Sequence, residues 1–280
     1  MPSFGTLRQR PRIAVAAAAL GVVALVGSGT AVANGHHGAP SVPAPPAAPT
    51  SASQIQNIDQ VKTAIKGYYG DQIDPTRTNP IDGTPIHTFD PHGNYAHEVG
   101  RIVAGAEKTL ASKRLRPHHV GRKAVLFDVD DTLLNTYPYE IYSNFVYNPT
   151  SNAAFVNSLT FRAVPHMVSL EKRAEKLGYT IFFLTGRPET QRTGTVANLT
   201  HEGYDVTSSR LFLKDYTVDP WLSPCASTCT TIQYKSLTRK HIEKDLGYKI
   251  VGNFGDQYSD LLGGYAERTF KIPNPMYYLP

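Results

Sequence analysis

The chain has 280 residues, with 28 Lys and Arg against 23 Asp and Glu, 22 Gly, 21 Pro and two Cys. With 41% hydrophobic and 18% charged residues, it has apolar content enough for a core, which excludes a collagen, a coiled coil, a disulfide-framework miniprotein and a wholly disordered chain. The formal charge of +5 would suit a polyanion partner, but the N-terminus accounts for most of it.

Arg8, Arg10 and Arg12 precede an apolar run over 13–26, and Ala31-Val32-Ala33 supplies the small residues a signal peptidase accepts. The pattern predicts a secretory signal peptide over residues 1–33, cleaved after Ala33, and hence a secreted, extracytoplasmic protein. The run is short against the ~20 residues that span a bilayer, so no stable membrane anchor is expected. Losing three arginines leaves 25 basic against 23 acidic residues, a formal charge of +2, and the case for a nucleic-acid partner goes with them.

Residues 34–53 are Pro, Ala, Ser and Gly with His36 and His37, a composition that cannot bury enough surface to fold and reads as a disordered tether. The folded domain is expected over 54–280. Helical periodicity covers 54–66 and 95–111, separated by a loop dense in Asp, Pro, Gly and Thr. Lys113, Arg114, Arg116, His118, His119, Arg122 and Lys123 then form a basic cluster, read as a solvated loop ahead of a strand.

From 123 onward, short apolar runs alternate with amphipathic segments. Runs at 123–127, 180–184, 210–213, 248–254 and 268–272 read as buried strands. Met167, Leu170, Ala174 and Leu177 make one apolar face opposite Glu171, Lys172, Arg173 and Lys176, with Gly178 as a stop. Further helices fit 190–202 and 235–246. The fold class that follows is α/β, a doubly wound parallel sheet with helices on both faces, and such sheets bind ligands at the carboxyl ends of their strands. Cys225 and Cys229 lie four apart in a Pro/Ser/Thr-rich stretch, and in an oxidising compartment they are expected to pair.

Three strand ends carry chemistry. Asp128, Asp130 and Asp131 crowd the end of the first apolar run, where their mutual repulsion calls for a divalent cation. Thr185-Gly186-Arg187 ends the second, offering a hydroxyl, a backbone N–H and a guanidinium suited to phosphate oxygens. Asp256 and Asp260 follow Val251-Gly252-Asn253-Phe254, two more carboxylates at a strand-to-helix turn.

Phe127-Asp128-Val129-Asp130-Asp131-Thr132-Leu133-Leu134, Leu184-Thr185-Gly186-Arg187 and the stretch Gly252-Asn253-Phe254-Gly255-Asp256-Gln257-Tyr258-Ser259-Asp260-Leu261-Leu262-Gly263 resemble motifs I, II and IV of the haloacid dehalogenase (HAD) superfamily. The closing Phe270-Lys271-Ile272-Pro273-Asn274-Pro275-Met276-Tyr277-Tyr278 is similar to the end of its subfamily IIIB acid phosphatases, which include plant vegetative storage proteins. The combination is far more specific than any single Asp-x-Asp.

The resemblance implies a HAD-like sheet with a small helical cap and a magnesium-dependent acid phosphatase acting on small phosphomonoesters. Asp128 would be the nucleophile, forming an aspartyl-phosphate, and Asp130 the general acid and base. Magnesium would sit among Asp128, the backbone carbonyl of Asp130 and Asp256, with Asp260 supporting its water shell. Thr185, Gly186 and a lysine would hold the phosphoryl oxygens. Spacing allows either Lys214 or Lys235, and the resemblance favours Lys235, placed at the opening of its helix. Arg187 suits a phosphate or a neighbouring aspartate equally. Tyr137, Tyr139, Tyr142, Phe145 and Tyr147 suit stacking on an aromatic leaving group or packing of the cap. The same motifs fit a phosphotransferase or a storage or binding protein that has lost the reaction. The oligomeric state is not legible.

Overall fold

The structure is a computed structural model that describes residues 50–51, 54–55, 57–112, 122–217 and 219–280. The signal peptide over 1–33, its cleavage after Ala33, the linker over 34–53 apart from Thr50 and Ser51, and the basic residues Lys113, Arg114, Arg116, His118 and His119 lie outside the described residues. Among the described residues no helix is long and apolar enough to cross a membrane.

Two helices lead in. α1 (Ile58–Tyr69) begins at a capping box in which Asn57 and Gln60 bond each other's backbone N–H, worth about 1 kcal/mol, and ends at Gly70 in the left-handed region. α2 (Asn94–Leu110) buries Tyr95, Val99, Val103 and Leu110 along one stripe. The segment expected as a loop between them holds an antiparallel hairpin, β1 (Gln72–Thr78) and β2 (Pro85–Thr88). In β1 the buried residue is Asp74, so the strand has no apolar alternation. Asp74 instead docks the hairpin by accepting from Arg162 Nε at 2.7 Å and from Thr76.

Next come β3 (Arg122–Phe127), a small helical cap of α3 (Tyr137–Tyr142) and α4 (Pro149–Val156), then α5 (Met167–Lys176) and β4 (Thr180–Pro188). α6 (Arg192–His201), β5 (Leu211–Lys214), α7 (Thr231–Lys244), β6 (Tyr248–Gly255), α8 (Tyr258–Leu261) and β7 (Thr269–Lys271) complete the chain. The five strands β3 to β7 form a parallel sheet in the order β5-β4-β3-β6-β7. Alternate residues feed two cores. Val125, Phe127, Ile181, Phe183 and Phe254 pack on one face under α2 and α5, and Ala124, Leu126, Phe182, Leu184 and Ile250 pack on the other under Tyr234 and Ile242 of α7. Burial on both faces explains why these strands read as continuous apolar runs.

Two boundaries shift with consequences for the site. β4 runs on through Thr185-Gly186-Arg187 to Pro188 rather than ending at Leu184, with a register irregularity against β5. α7 starts at Thr231, because Thr230 and Gln233 form a capping box just after the Cys225–Cys229 disulfide, whose Cα atoms lie 4.8 Å apart. Lys235 therefore sits in the second turn of its helix and does not open it.

Candidate active site

β3 is central, so its end has a neighbour on each side. Phe127 is level with Phe183 of β4 and Phe254 of β6, and the Asp128 N–H donates to Phe254 O at 2.9 Å, carrying the parallel pairing one residue beyond the strand. The chain then reverses through Asp131, whose φ of 53° is left-handed. The backbone there is fastened by the Asp131 side chain, which accepts from Thr136 N–H at 2.9 Å, Thr136 Oγ1 at 2.5 Å and Tyr277 OH at 2.8 Å. Asp131 is thus the brace of the turn. Burial raises its carboxyl to about 7, against the pull of these hydrogen bonds.

Asp128, Asp256 and Asp260 bring one carboxylate oxygen each within 4.8 Å of one another, all three buried. Asp260 joins this group directly, whereas the resemblance gave it only a supporting role around the metal's water. Lys235 crosses from α7 into the cluster. Its ammonium donates to Asp128 Oδ1 and to Leu184 O at 2.8 Å, and it lies 3.0 Å from Asp260 Oδ1. Burial works against the charged lysine, but the carboxylates of Asp128 and Asp260 outweigh it and hold its pKa above the ordinary value. Burial first, then the Asp260 charge, pushes the Asp128 and Asp256 carboxyls well up. One ammonium among three buried carboxylates leaves negative charge uncompensated. A hard, all-oxygen donor set of this kind fits a divalent cation such as magnesium.

Asp256 is oriented at Oδ2 by Gln257 Nε2 and Asn274 Nδ2, both at 2.8 Å, with Thr132 Oγ1 3.3 Å from Oδ1. The Asp260 loop is held from behind. The buried Arg239 guanidinium donates to the carbonyls of Asp260 (2.5 Å), Leu262 and Gly264 (2.8 Å), and Asn253 Nδ2 also donates to Asp260 O at 2.9 Å. Gly255 is required by close approach, since a Cβ there would stand 2.4 Å from Asp260 Cβ.

Asp130 lies apart from the three-carboxylate group. Along the extended end of β4, Thr185 and Arg187 point to one side and Gly186 to the exposed other. Arg187 grips Asp130 with Nη2 at 2.6 Å from Oδ1 and Nε at 3.0 Å from Oδ2, a bidentate pair, and Thr185 Oγ1 is 3.4 Å from Oδ2. The guanidinium is anchored in turn by Thr195 Oγ1 at 3.0 Å and by the Phe161 ring. Of the two partners open to Arg187, this structure pairs it with the aspartate. Lys214 stands elsewhere, its ammonium over the rings of Tyr216 and Tyr234 at 5.7 and 5.4 Å. In the aromatic run, Tyr137 and Tyr139 are core residues, Tyr137 stacking on Tyr69 with centroids 4.6 Å apart, while Tyr142 and Tyr147 are exposed.

Motif and spacing point to no chemical role for Arg239, Asn274, Tyr277 or Glu140. The Asn274 and Tyr277 segment was visible as part of a resemblance, but nothing in its spacing connected it to Asp256 or Asp131.

A parallel five-stranded sheet with this acidic cluster across its carboxyl edge defines a HAD-like α/β protein. The chain belongs to the HAD superfamily, subfamily IIIB, the acid phosphatases, whose family model matches residues 91–280. It is similar to Acid phosphatase 1 of Solanum lycopersicum, 39% identical over 189 residues that cover 66% of this chain and 69% of that one. It is also similar to Vegetative storage protein 1 of Arabidopsis thaliana, 33% identical over 232 residues, 81% of this chain and 75% of that one. Among solved structures, the class C acid phosphatase from Bacillus anthracis superposes with a TM-score of 0.55 at 20% identity, covering 67% of this chain and 80% of that one, a likeness of fold alone.

Proposed function

We propose that the protein is an exported, magnesium-dependent acid phosphatase that hydrolyses small phosphomonoesters through an aspartyl-phosphate. The observation that carries this reading is the Asp128 carboxylate, buried at the end of the central strand within 4.8 Å of its partners in the Asp256 and Asp260 cluster and bonded by Lys235. Asp128 attacks phosphorus, and the bond to the leaving oxygen breaks as that oxygen takes a proton from Asp130. Asp130 then accepts a proton from the water that cleaves the acyl-phosphate, releasing inorganic phosphate and restoring Asp128. Arg187 is a positioning residue that fixes the direction of the Asp130 carboxyl, and Thr185 Oγ1, the Gly186 N–H and the Lys235 ammonium hold phosphoryl oxygens. Asp128, the Asp130 backbone carbonyl, Asp256 and Asp260 would hold magnesium, which would supply positive charge to offset the repulsion between carboxylate and phosphate.

The kinship with a vegetative storage protein supports a second reading, a chain that keeps the fold without turnover, and transfer to an alcohol instead of water would use the same groups. Asp128→Asn keeps the shape and removes the attacking charge, so folded variant should lose at least about 10³ of turnover on p-nitrophenyl phosphate, and a chelator should abolish turnover reversibly. Most of the activity surviving in folded Asp128→Asn would refute the covalent mechanism. No wild-type turnover on any phosphomonoester would favour the storage reading, and product analysis with added alcohol separates hydrolysis from transfer.

A further inference from the structure

Tyr234 immediately precedes Lys235 on α7 and is fully buried. Its phenol donates to Thr185 O at 2.9 Å, while the Lys235 ammonium donates to Leu184 O at 2.8 Å. Two consecutive residues of one helix thus hold two consecutive carbonyls at the end of β4. Burial, then the Asp219 charge, pushes the Tyr234 phenol well above its ordinary range, so it remains protonated and able to donate.

The stretch that Tyr234 reaches has left the regular sheet. Phe183 is the last β4 residue level with a partner on β3, and the pairing of β4 with β5 is irregular between Leu184 and Pro188. Gly186 is exposed, and a Cβ built on it would meet nothing within 4 Å. Packing at Gly186 therefore puts no block on rotation of the peptide that joins Thr185 to Gly186, and glycine has the conformational freedom to allow it. That peptide is a planar trans unit, so the Thr185 carbonyl and the Gly186 N–H belong to one rigid plane and point in opposite directions. A donor that fixes the carbonyl fixes the N–H with it, and polarisation along the amide strengthens that N–H as a donor in turn. The next backbone N–H, that of Arg187, is already engaged by Thr185 Oγ1 at 3.1 Å.

Resting on the phosphatase reading above, we propose that Tyr234 is a positioning residue for phosphate recognition, its phenol locking the Thr185–Gly186 peptide so that the Gly186 N–H is held in place for a phosphoryl oxygen. Tyr234 acts through that peptide and does not itself touch the substrate. Its loss is felt where a phosphoryl group is bound, and not in the affinity of the Asp128, Asp256 and Asp260 cluster for magnesium.

Tyr234→Phe deletes the hydroxyl and keeps the ring. Calorimetric titration of inorganic phosphate into the magnesium-loaded protein should give a Kd about 5–10-fold higher in this variant, and kcat/KM on p-nitrophenyl phosphate should fall about 10–30-fold, less than the loss of a direct donor would cause. The magnesium concentration for half-maximal activity should stay within about twofold of wild type. Tyr179→Phe is the control, because it removes another buried phenol that donates to a backbone carbonyl at 2.9 Å, that of Leu110, at the opposite end of β4. It should lower the melting temperature by a similar amount and leave the phosphate Kd unchanged. Amide NMR of the wild type gives a measurement that does not depend on the variant folding, since phosphate should displace the Gly186 cross-peak. Wild-type phosphate affinity in folded Tyr234→Phe overturns the inference, as does an equal loss in Tyr179→Phe or a Gly186 cross-peak that saturating phosphate leaves in place. Each of these leaves turnover of p-nitrophenyl phosphate, and the phosphatase reading, standing. A wild type that neither binds phosphate nor turns over p-nitrophenyl phosphate overturns the phosphatase reading itself, and this inference with it.

Discussion

Replacing Lys235 by alanine tests the electrostatic design of the site most directly. Its ammonium has three protons and three partners, Asp128 Oδ1, Asp260 Oδ1 at 3.0 Å and Leu184 O at 2.8 Å, so every donor is engaged. Removing it leaves two buried carboxylates without their counter-charge. Breaking such a pair costs on the order of 3–5 kcal/mol in folding when nothing replaces the lost partner. Excess magnesium offsets part of that loss, so turnover is to be measured in saturating magnesium, with thermal melts verifying that the variant is folded. Loss of one preorganised contact to developing phosphoryl charge costs about 10²–10³ in rate, equivalent to ~3–4 kcal/mol in the barrier. Lys235→Ala should therefore lose turnover by that factor on p-nitrophenyl phosphate. Lys214→Ala, which takes an ammonium off two tyrosine rings at 5.7 and 5.4 Å, should stay within a few-fold of wild type. The reverse ranking in folded proteins would refute the assignment of the phosphate-binding lysine.

Glu171 on α5 is fully buried with the Lys172 ammonium at 3.6 Å, and burial followed by the Glu175 charge raises its carboxyl from 4.5 to about 7. The folded state thus holds a proton that the unfolded chain releases, so stability falls as pH rises from 4.5 to about 7. Glu171→Gln should gain up to about 3 kcal/mol over wild type at pH 8 and little at pH 4, read by urea denaturation; an equal difference at both pH values would refute the burial argument. Gly255→Ala puts a methyl group 2.4 Å from Asp260 Cβ, and displacement of that carboxylate should raise the magnesium concentration for half-maximal activity by about 10–100-fold. An unchanged magnesium titration would count against Asp260 as a ligand. The Cys225–Cys229 bridge closes a short loop, so Cys225→Ser with Cys229→Ser should lower stability by roughly 2 kcal/mol or less, and a wild-type chain with two alkylatable thiols after export would contradict the bridge.

What the sequence made legible was what burial dictates. The strands β3, β4 and β6 were readable because both faces are covered, so each is an apolar run, while the edge strands β5 and β7 are only partly buried. β1 was not readable, because its inward residue is Asp74, and hydropathy has no sign for a strand that docks by an ion pair. The four-residue error at the start of α7 concealed a signal that was present, the Thr230-Thr231-Ile232-Gln233 capping box. At the site, Asp128, Asp256 and Asp260 were legible from their places at strand ends, and Lys235 only through resemblance. The choice Arg187 makes between phosphate and aspartate depends on the direction of a side chain at a strand's irregular end, which spacing does not encode.

The tail shows the limit of motif reading most clearly. After β7 the chain has no regular structure, yet Asn274 bonds Asp256, Tyr277 bonds Asp131, and Leu279 exchanges hydrogen bonds with Gln257 and Ser259. These contacts brace the turn after the nucleophile and the turn after β6 from the same side, so the last residues tie together two strand ends that carry opposite halves of the acidic cluster. Their effect on the chemistry is indirect. A carboxylate oxygen already bonded by an amide has its direction fixed before any cation or phosphate arrives, and preorganisation of that kind is where much of the rate advantage of an electrostatic site originates. The residues that would carry the reaction are therefore concentrated in short motifs, whereas the residues that aim them come from the cap, α7 and the final eight positions, brought into register only by the fold.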